Sequence, residues 1–166
     1  GKPTVHNVWN ENTAILSGDA MLILAYRLMA DCPEDKLKQV LDIFTTTTME
    51  ICEGQQWDME FETRQDVTAD EYIEMIRLKT SVLLAASLRL GGILAGASDA
   101  DQEALYAYGE KMGLAFQLQD DLLDVYADQS LFGKKIGGDI CCNKKTFLLI
   151  TALNLASPEQ FAEMKQ

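Results

Sequence analysis

A chain of 166 residues with 48% hydrophobic and 24% charged content is long enough for one domain with a real core, and its composition is that of a globular protein. No uninterrupted apolar run reaches the roughly 18 residues that suggest a membrane span, so none is expected. The formal net charge of −12 argues against nucleic acid as a partner, because backbone recognition relies on clustered Lys and Arg; a phosphate-bearing substrate would need divalent cations to bridge it to carboxylates.

At the start, Gly1-Lys2-Pro3-Thr4-Val5-His6 lacks an initiator methionine, an apolar stretch and a small-residue cleavage site, which reads as a cut end without an export signal. Along the chain apolar positions recur at intervals of three and four and hardly ever alternate, so residues 1–166 are expected to form a single all-α domain. A first helix is predicted from Glu11 to Ala30, burying Ile15, Leu22, Leu24, Tyr26 and Leu28, with Pro33 restarting the chain. A second, long helix runs from about Glu34 through Val40, Phe44 and Ile51 to about Phe61. Thr68-Ala69-Asp70-Glu71 is a capping box that opens a helix through Ile73, Met75 and Ile76, and Lys79-Thr80 interrupts that pattern. From Ser81 to Leu94 the chain is apolar nearly all round, apart from Arg89 and Gly91-Gly92, which predicts a central helix enclosed by others. Ser98 or Asp99 caps the next helix, which extends to about Tyr126; Gly109 and Gly113, one turn apart, would let a neighbouring backbone approach. A Gly- and Lys-rich loop follows at Gly133 to Gly138, then a helix from about Lys145 to Leu155, and Ser157-Pro158-Glu159-Gln160 starts a last one.

Chemistry concentrates in Phe116-Gln117-Leu118-Gln119-Asp120-Asp121-Leu122-Leu123-Asp124. Asp120 and Asp124 are one turn apart on one helical face, with Asp121 beside them. Like charges held this close repel, and burying them uncompensated costs several kcal/mol, so a cation is expected; oxygen-only ligands suit Mg2+, which commonly uses one or two carboxylates together with substrate phosphates. The same spacing also occurs on solvated helices. Downstream, Lys134, Lys135, Lys144 and Lys145 surround Gly137-Gly138-Asp139, offering ammonium groups and backbone N–H groups to a phosphate, unless the segment is simply a solvated basic loop. Cys32, Cys52, Cys141 and Cys142 lack C-x-x-C spacing and a His partner at zinc-finger distance, which points to reduced thiols in the cytoplasm.

These segments, in their order, resemble the polyprenyl synthase family, particularly the farnesyl and geranylgeranyl diphosphate synthases. The similarity rests on Gly1 to His6, Leu16-Ser17-Gly18-Asp19-Ala20, Gly54-Gln55-Gln56-Trp57-Asp58, Lys79-Thr80, the segment from Phe116 to Asp124, and Gly133 to Ile140 with Asn143-Lys144-Lys145-Thr146. The resemblance implies an isoprenoid synthase type helical bundle around a central cavity, here without its N-terminal helices. It implies a prenyltransferase that condenses isopentenyl diphosphate with an allylic diphosphate to a short-chain product, farnesyl or geranylgeranyl diphosphate, through Mg2+-assisted ionisation to a carbocation. Asp120 and Asp124 would bind Mg2+ against the allylic diphosphate, with Asp121 as a supporting carboxylate. Lys79, Lys135 and Lys144 would neutralise the departing diphosphate. Thr80 and Gln117 would direct their dipoles at the cation, Gln55 and Asp58 would line the same cavity, and Asp139 would order waters around the metal. The plainer readings make Gln55 and Gln117 hydrogen-bonded core amides and Asp58 a surface carboxylate. The family's usual homodimer is implied as well.

The family's first aspartate-rich motif and the two arginines after it would lie immediately before Gly1, so the 166 residues alone are expected to be inactive. The alternative class is a non-catalytic prenyl-synthase-like partner subunit, which the near-complete set of phosphate-binding residues argues against; a plain helical interaction protein would treat every motif as surface and core. Cys141-Cys142 replaces more usual polar residues, and nothing in the sequence accounts for it.

Overall fold

The computed structural model describes residues 2–127, 137–142 and 144–164, and those residues form helices and connecting turns without a strand. A short α1, Val5–Val8, precedes α2, Glu11–Ala30, which has the bounds that the periodicity predicts. Asn10 caps it, its side-chain oxygen accepting the Thr13 N–H at 2.8 Å, which satisfies one of the donors left free at a helix start.

The burial expected of α2 is not observed: Ile15, Leu22, Leu24 and Leu28 are all exposed, Leu22 least at 44%. Only Tyr26 is partly covered, its ring edge-on to Phe44 and its hydroxyl donating to Thr45. Apolar residues surround α2 on most sides, but among the described residues its main tertiary neighbours are α1 and α3, and two helices cannot cover such a surface. By length and composition α2 could cross a membrane, although Asp19 near its middle would cost about 3 kcal/mol there.

The long α3, Leu37–Phe61, begins three residues after the expected Glu34, because Pro33 to Lys36 form a turn in which the Lys36 N–H donates to the Pro33 carbonyl. Its buried residues, Val40, Thr47, Gly54 and Phe61, recur every seven positions, so a single stripe faces the rest of the bundle. The capping box at Thr68 opens α4, Ala69–Ile76: Glu71 N–H donates to the Thr68 hydroxyl and Thr68 N–H to the Glu71 carboxylate.

Between α4 and α5, Val82–Leu94, the chain makes a π-helical turn at Arg77–Ser81. The extra residue in that turn is why Lys79-Thr80 breaks the 3.6-residue pattern, and such turns recur at functional sites. α5 is less enclosed than expected: Val82, Ala85, Ala86, Gly92 and Ile93 are buried, but Leu83 and Leu94 are about half exposed. Ser98 caps α6, Asp99–Tyr126, its hydroxyl accepting the Asp101 N–H. α5 and α6 pack antiparallel, with Gly109 against the Ala85 backbone and Gly113 against Ser81; the close approach that the two glycines predict is present.

A short α7, Gly138–Cys141, then α8, Phe147–Leu155, and α9, Pro158–Met164, complete the described chain. α8 starts two residues after the expected Lys145, because Thr146 is its cap and accepts the Leu149 N–H. The Ser157 and Gln160 side chains cap α9 reciprocally. A core of Phe61, Val67, Tyr72, Met75, Ile76 and Ile150 ties the end of α3 to α4 and α8, and Leu114 and Leu118 of α6 pack against it. That core lies directly beneath the polar residues of α6.

Candidate active site

The π-turn packs against both α3 and α6. A Cβ on Gly54 would lie 2.4 Å from the Lys79 backbone nitrogen, so only glycine lets α3 touch the turn. One turn further along α3, Asp58 receives Lys79, Nζ to Oδ2 at 2.5 Å, with the aspartate side chain 14% exposed. Asp58 is therefore a partly enclosed ion-pair partner, not the surface carboxylate of the plainer sequence reading. Gln55, at the same end of α3, is exposed, which overturns the core-amide reading for that residue.

From the next position of the turn, the Thr80 hydroxyl donates to Gln117 Oε1 at 3.2 Å, and Gln117 Nε2 donates to Asp121 Oδ1 at 3.1 Å. The other oxygen of Asp121 receives the Tyr72 hydroxyl. Asp121 is 2% exposed and Tyr72 1%. Burial pushes the Asp121 carboxyl above its usual range, while the hydrogen bonds from Tyr72 and Gln117 pull the other way. Tyr72 is raised by burial and then by its bond to Asp121, which keeps the phenol protonated and donating. Tyr72 is the residue sequence reasoning missed. Its only signal was a polar tip among the apolar positions of α4, and the partner lies 49 residues away.

Asp124, one turn beyond Asp120, does two tasks. Its Oδ2 accepts the Asp139 N–H at 3.0 Å, and its backbone carbonyl accepts the Gly137 N–H at 2.8 Å. Gly137 sits at φ 75°, a conformation that glycine adopts without strain, and this turn carries α7 back onto α6. Asp139 pairs with Lys144 at 3.4 Å. Burial alone would lower the Lys144 ammonium, but the charges of Asp139, Asp58 and Asp121 outweigh it and hold the group above its ordinary value. One lysine thus responds to carboxylates from α3, α6 and α7. Lys134 and Lys135, expected beside it, lie outside the described residues.

Asp120 is partly exposed. Among the described residues no three His, Cys, Asp or Glu side chains gather into a ready cage for a metal. An i, i+4 pair of carboxylates with oxygen ligands only fits a hard divalent cation whose remaining ligands come from a phosphate or water, so the donor set suits Mg2+ held jointly with a diphosphate rather than a protein-only site. Two hollows of the surface lie away from these residues. One of about 540 Å³ is bounded by Ala152, Leu155, Ala156, Gln160, Glu163 and Met164, and another by Leu24, Arg27, Leu28, Ala30 and Asp31. Both are clefts at helix ends, and neither is lined by the residues of this cluster.

A model of the polyprenyl synthetase family matches residues 1–166. The geranylfarnesyl diphosphate synthase of Natronomonas pharaonis is 45% identical over 154 residues, covering 92% of this chain and 45% of that protein. The crystal structure of a geranylgeranyl pyrophosphate synthase superposes with a TM-score of 0.92 at 51% identity, over 99% of this chain and 50% of that one. A polyprenyl synthase from Caulobacter crescentus CB15, solved with calcium and isoprenyl diphosphate, is 31% identical with a TM-score of 0.86, over 100% of this chain and 52% of that one. The chain spans about half the length of the curated relatives it matches.

Proposed function

Since the chain belongs to the polyprenyl synthetase family and has its all-α fold, we propose that residues 1–166 are one domain carrying the allylic-diphosphate side of a short-chain prenyltransferase site, in a protein that makes farnesyl or geranylgeranyl diphosphate. The observation that carries the reading is the convergence of Lys79, Lys144, Asp58, Asp121 and Asp139 from separate elements on one spot beside Asp124. A non-catalytic partner subunit would need none of it.

In this reading Asp120 and Asp124 hold Mg2+ with the diphosphate, and the bound ion supplies charge stabilisation to the leaving group. Lys79 and Lys144, with Lys135, hold the diphosphate oxygens and offset the charge that accumulates as the allylic C–O bond ionises. Lys79 exchanges its contact with Asp58 for one with phosphate, and Asp58 keeps the ammonium aimed at the site until then. Asp139 steadies Lys144 and orders water near the carboxylates. Thr80 and Gln117 turn oxygen dipoles toward the allylic cation, and Gln55 stands at the cavity edge. The C=C bond of isopentenyl diphosphate attacks the cation, the new C–C bond forms, and the departed diphosphate takes the proton lost from the adduct. The apolar core beneath α6 keeps water from quenching the cation.

The uncovered apolar surface of α2 supports a homodimer, since exposed patches of this kind commonly mark protein contacts. Four free cysteines suit a reducing cytoplasm. Calorimetric titration of an unreactive allylic diphosphate analogue into this chain, with and without Mg2+, tests the reading. Binding that requires Mg2+ and disappears in Asp120→Ala and Asp124→Ala is expected; a folded chain that takes no analogue in Mg2+ would overturn it.

A further inference from the structure

Tyr72 lies deep in the core cluster, yet its hydroxyl is the far end of a chain that surfaces at the site: Tyr72 to Asp121, Asp121 to Gln117, Gln117 to Thr80. The direction of this chain follows from its donors. The Gln117 amide nitrogen faces Asp121 and donates to Oδ1, which accepts it. The Gln117 oxygen must then turn to the opposite side, where it accepts the Thr80 hydroxyl at 3.2 Å. The two donors are divided between the two oxygens of Asp121, Tyr72 on Oδ2 and Gln117 on Oδ1. Without the phenol a buried oxygen would lack a donor, which is costly. The Gln117 amide would be drawn between the two oxygens, and its carbonyl would lose its fixed bearing.

We infer that Tyr72 is a positioning residue: through Asp121 it fixes which end of the Gln117 amide faces the cavity, and thereby sets the dipole offered to a positively charged allylic group. The inference rests on the prenyltransferase reading for its consequence, but not for its geometry. Asp121, although adjacent in sequence to Asp120, is on this account an internal anchor turned into the core. It gives Tyr72, which has no chemistry of its own at the site, a role in recognising charge.

The test uses the 166-residue chain with Tyr72→Phe, which keeps the ring and removes only the donor, and Ile76→Val, a neighbouring core change, as the control for lost stability. In the ligand-free chain, 15N NMR follows the Gln117 side-chain NH2 pair, assigned by its disappearance in Gln117→Glu. Tyr72→Phe is expected to move both signals and speed their exchange with water severalfold, whereas Ile76→Val leaves them in place. Calorimetry then compares an aza analogue of an allylic diphosphate, with a protonated nitrogen at the cationic carbon, with its neutral isostere in Mg2+. Tyr72→Phe should narrow the preference for the charged analogue by about fivefold, the size of one ordinary hydrogen bond, with little change for the neutral one. Unchanged Gln117 signals in Tyr72→Phe overturn the inference whatever the binding data say. So does an unchanged preference, or an equal effect of Ile76→Val. If the wild-type chain binds neither analogue, the proposed function fails while the NMR comparison still decides whether Tyr72 anchors Gln117.

Discussion

Replacing Gly54 by alanine tests how tightly the π-turn is held against α3. The new methyl carbon would lie 2.4 Å from the Lys79 nitrogen and 2.8 Å from the Leu78 carbonyl carbon and Cβ, whereas ordinary contact begins at 3.4 Å. The obstructing atoms are mostly backbone, so no flexible side chain can swing aside, and the turn must retreat by about 1 Å or α3 must shift. Overpacking of this kind costs roughly 1–3 kcal/mol, while the exchange of glycine for alanine inside a helix returns about 0.5–1 kcal/mol. The net loss should therefore be about 1–2 kcal/mol. Gly91→Ala in α5 is the matched control, since nothing lies within 4 Å of its Cβ; it should gain about 0.5–1 kcal/mol from propensity alone. Urea unfolding followed by circular dichroism reads both, with the midpoints expected to move in opposite directions at constant slope. Binding of the allylic diphosphate analogue should fall in Gly54→Ala as well, because the retreating turn carries Lys79 and Thr80. If Gly54→Ala is as stable as Gly91→Ala and still binds, the close approach of α3 to the turn does not hold the site, and the reasoning fails.

Lys79→Gln should weaken Mg2+-dependent binding of the analogue by tenfold or more while leaving the fold intact, as calorimetry and circular dichroism would read; unchanged affinity would remove Lys79 from the diphosphate contact. Thr68→Ala deletes the α4 cap and should cost about 1 kcal/mol in urea unfolding, and an undiminished midpoint would refute the capping role. The Thr68 N–H, followed by Arg64, holds the Glu71 carboxyl below its ordinary value. Its stabilisation is accordingly present above the ordinary glutamate range and lost as pH falls through the depressed folded value. The thermal stability advantage of wild type over Glu71→Gln should be full at pH 7 and shrink at acidic pH; an advantage that grows on acidification contradicts the assignment. Asp124→Ala removes the acceptor of the Asp139 N–H, and hydrogen exchange at Asp139 should accelerate severalfold relative to wild type.

Much of this protein was legible in the chain because the signals were local. The bounds of α2 and α6, the capping box at Thr68 and the close approach at Gly113 depend on residues within a turn or two of each other, and intrahelical geometry converts that spacing directly into structure. The carboxylate pair Asp120 and Asp124 was visible for the same reason. Two expectations failed where the answer depended on what lies opposite. Amphipathic pattern says which residues could be buried, but whether Ile15 and Leu28 are covered depends on the helices that reach α2, and among the described residues α1 and α3 are its main neighbours. Gln55 and Asp58, three residues apart on α3, have as their plainer readings a core amide and a surface carboxylate, yet Gln55 is exposed and Asp58 meets Lys79 from the π-turn.

The sequence by itself determined the helical class, the element order and the residue types of the site, because periodicity, caps and motif spacing are properties of neighbouring residues. Only the tertiary structure decided that Asp121 points into the core to Tyr72 while Asp124 serves Asp139, although the two stand three residues apart on one helix. A side chain's role there depends on which donor the fold brings against it, and in a low-dielectric interior each buried oxygen must find one.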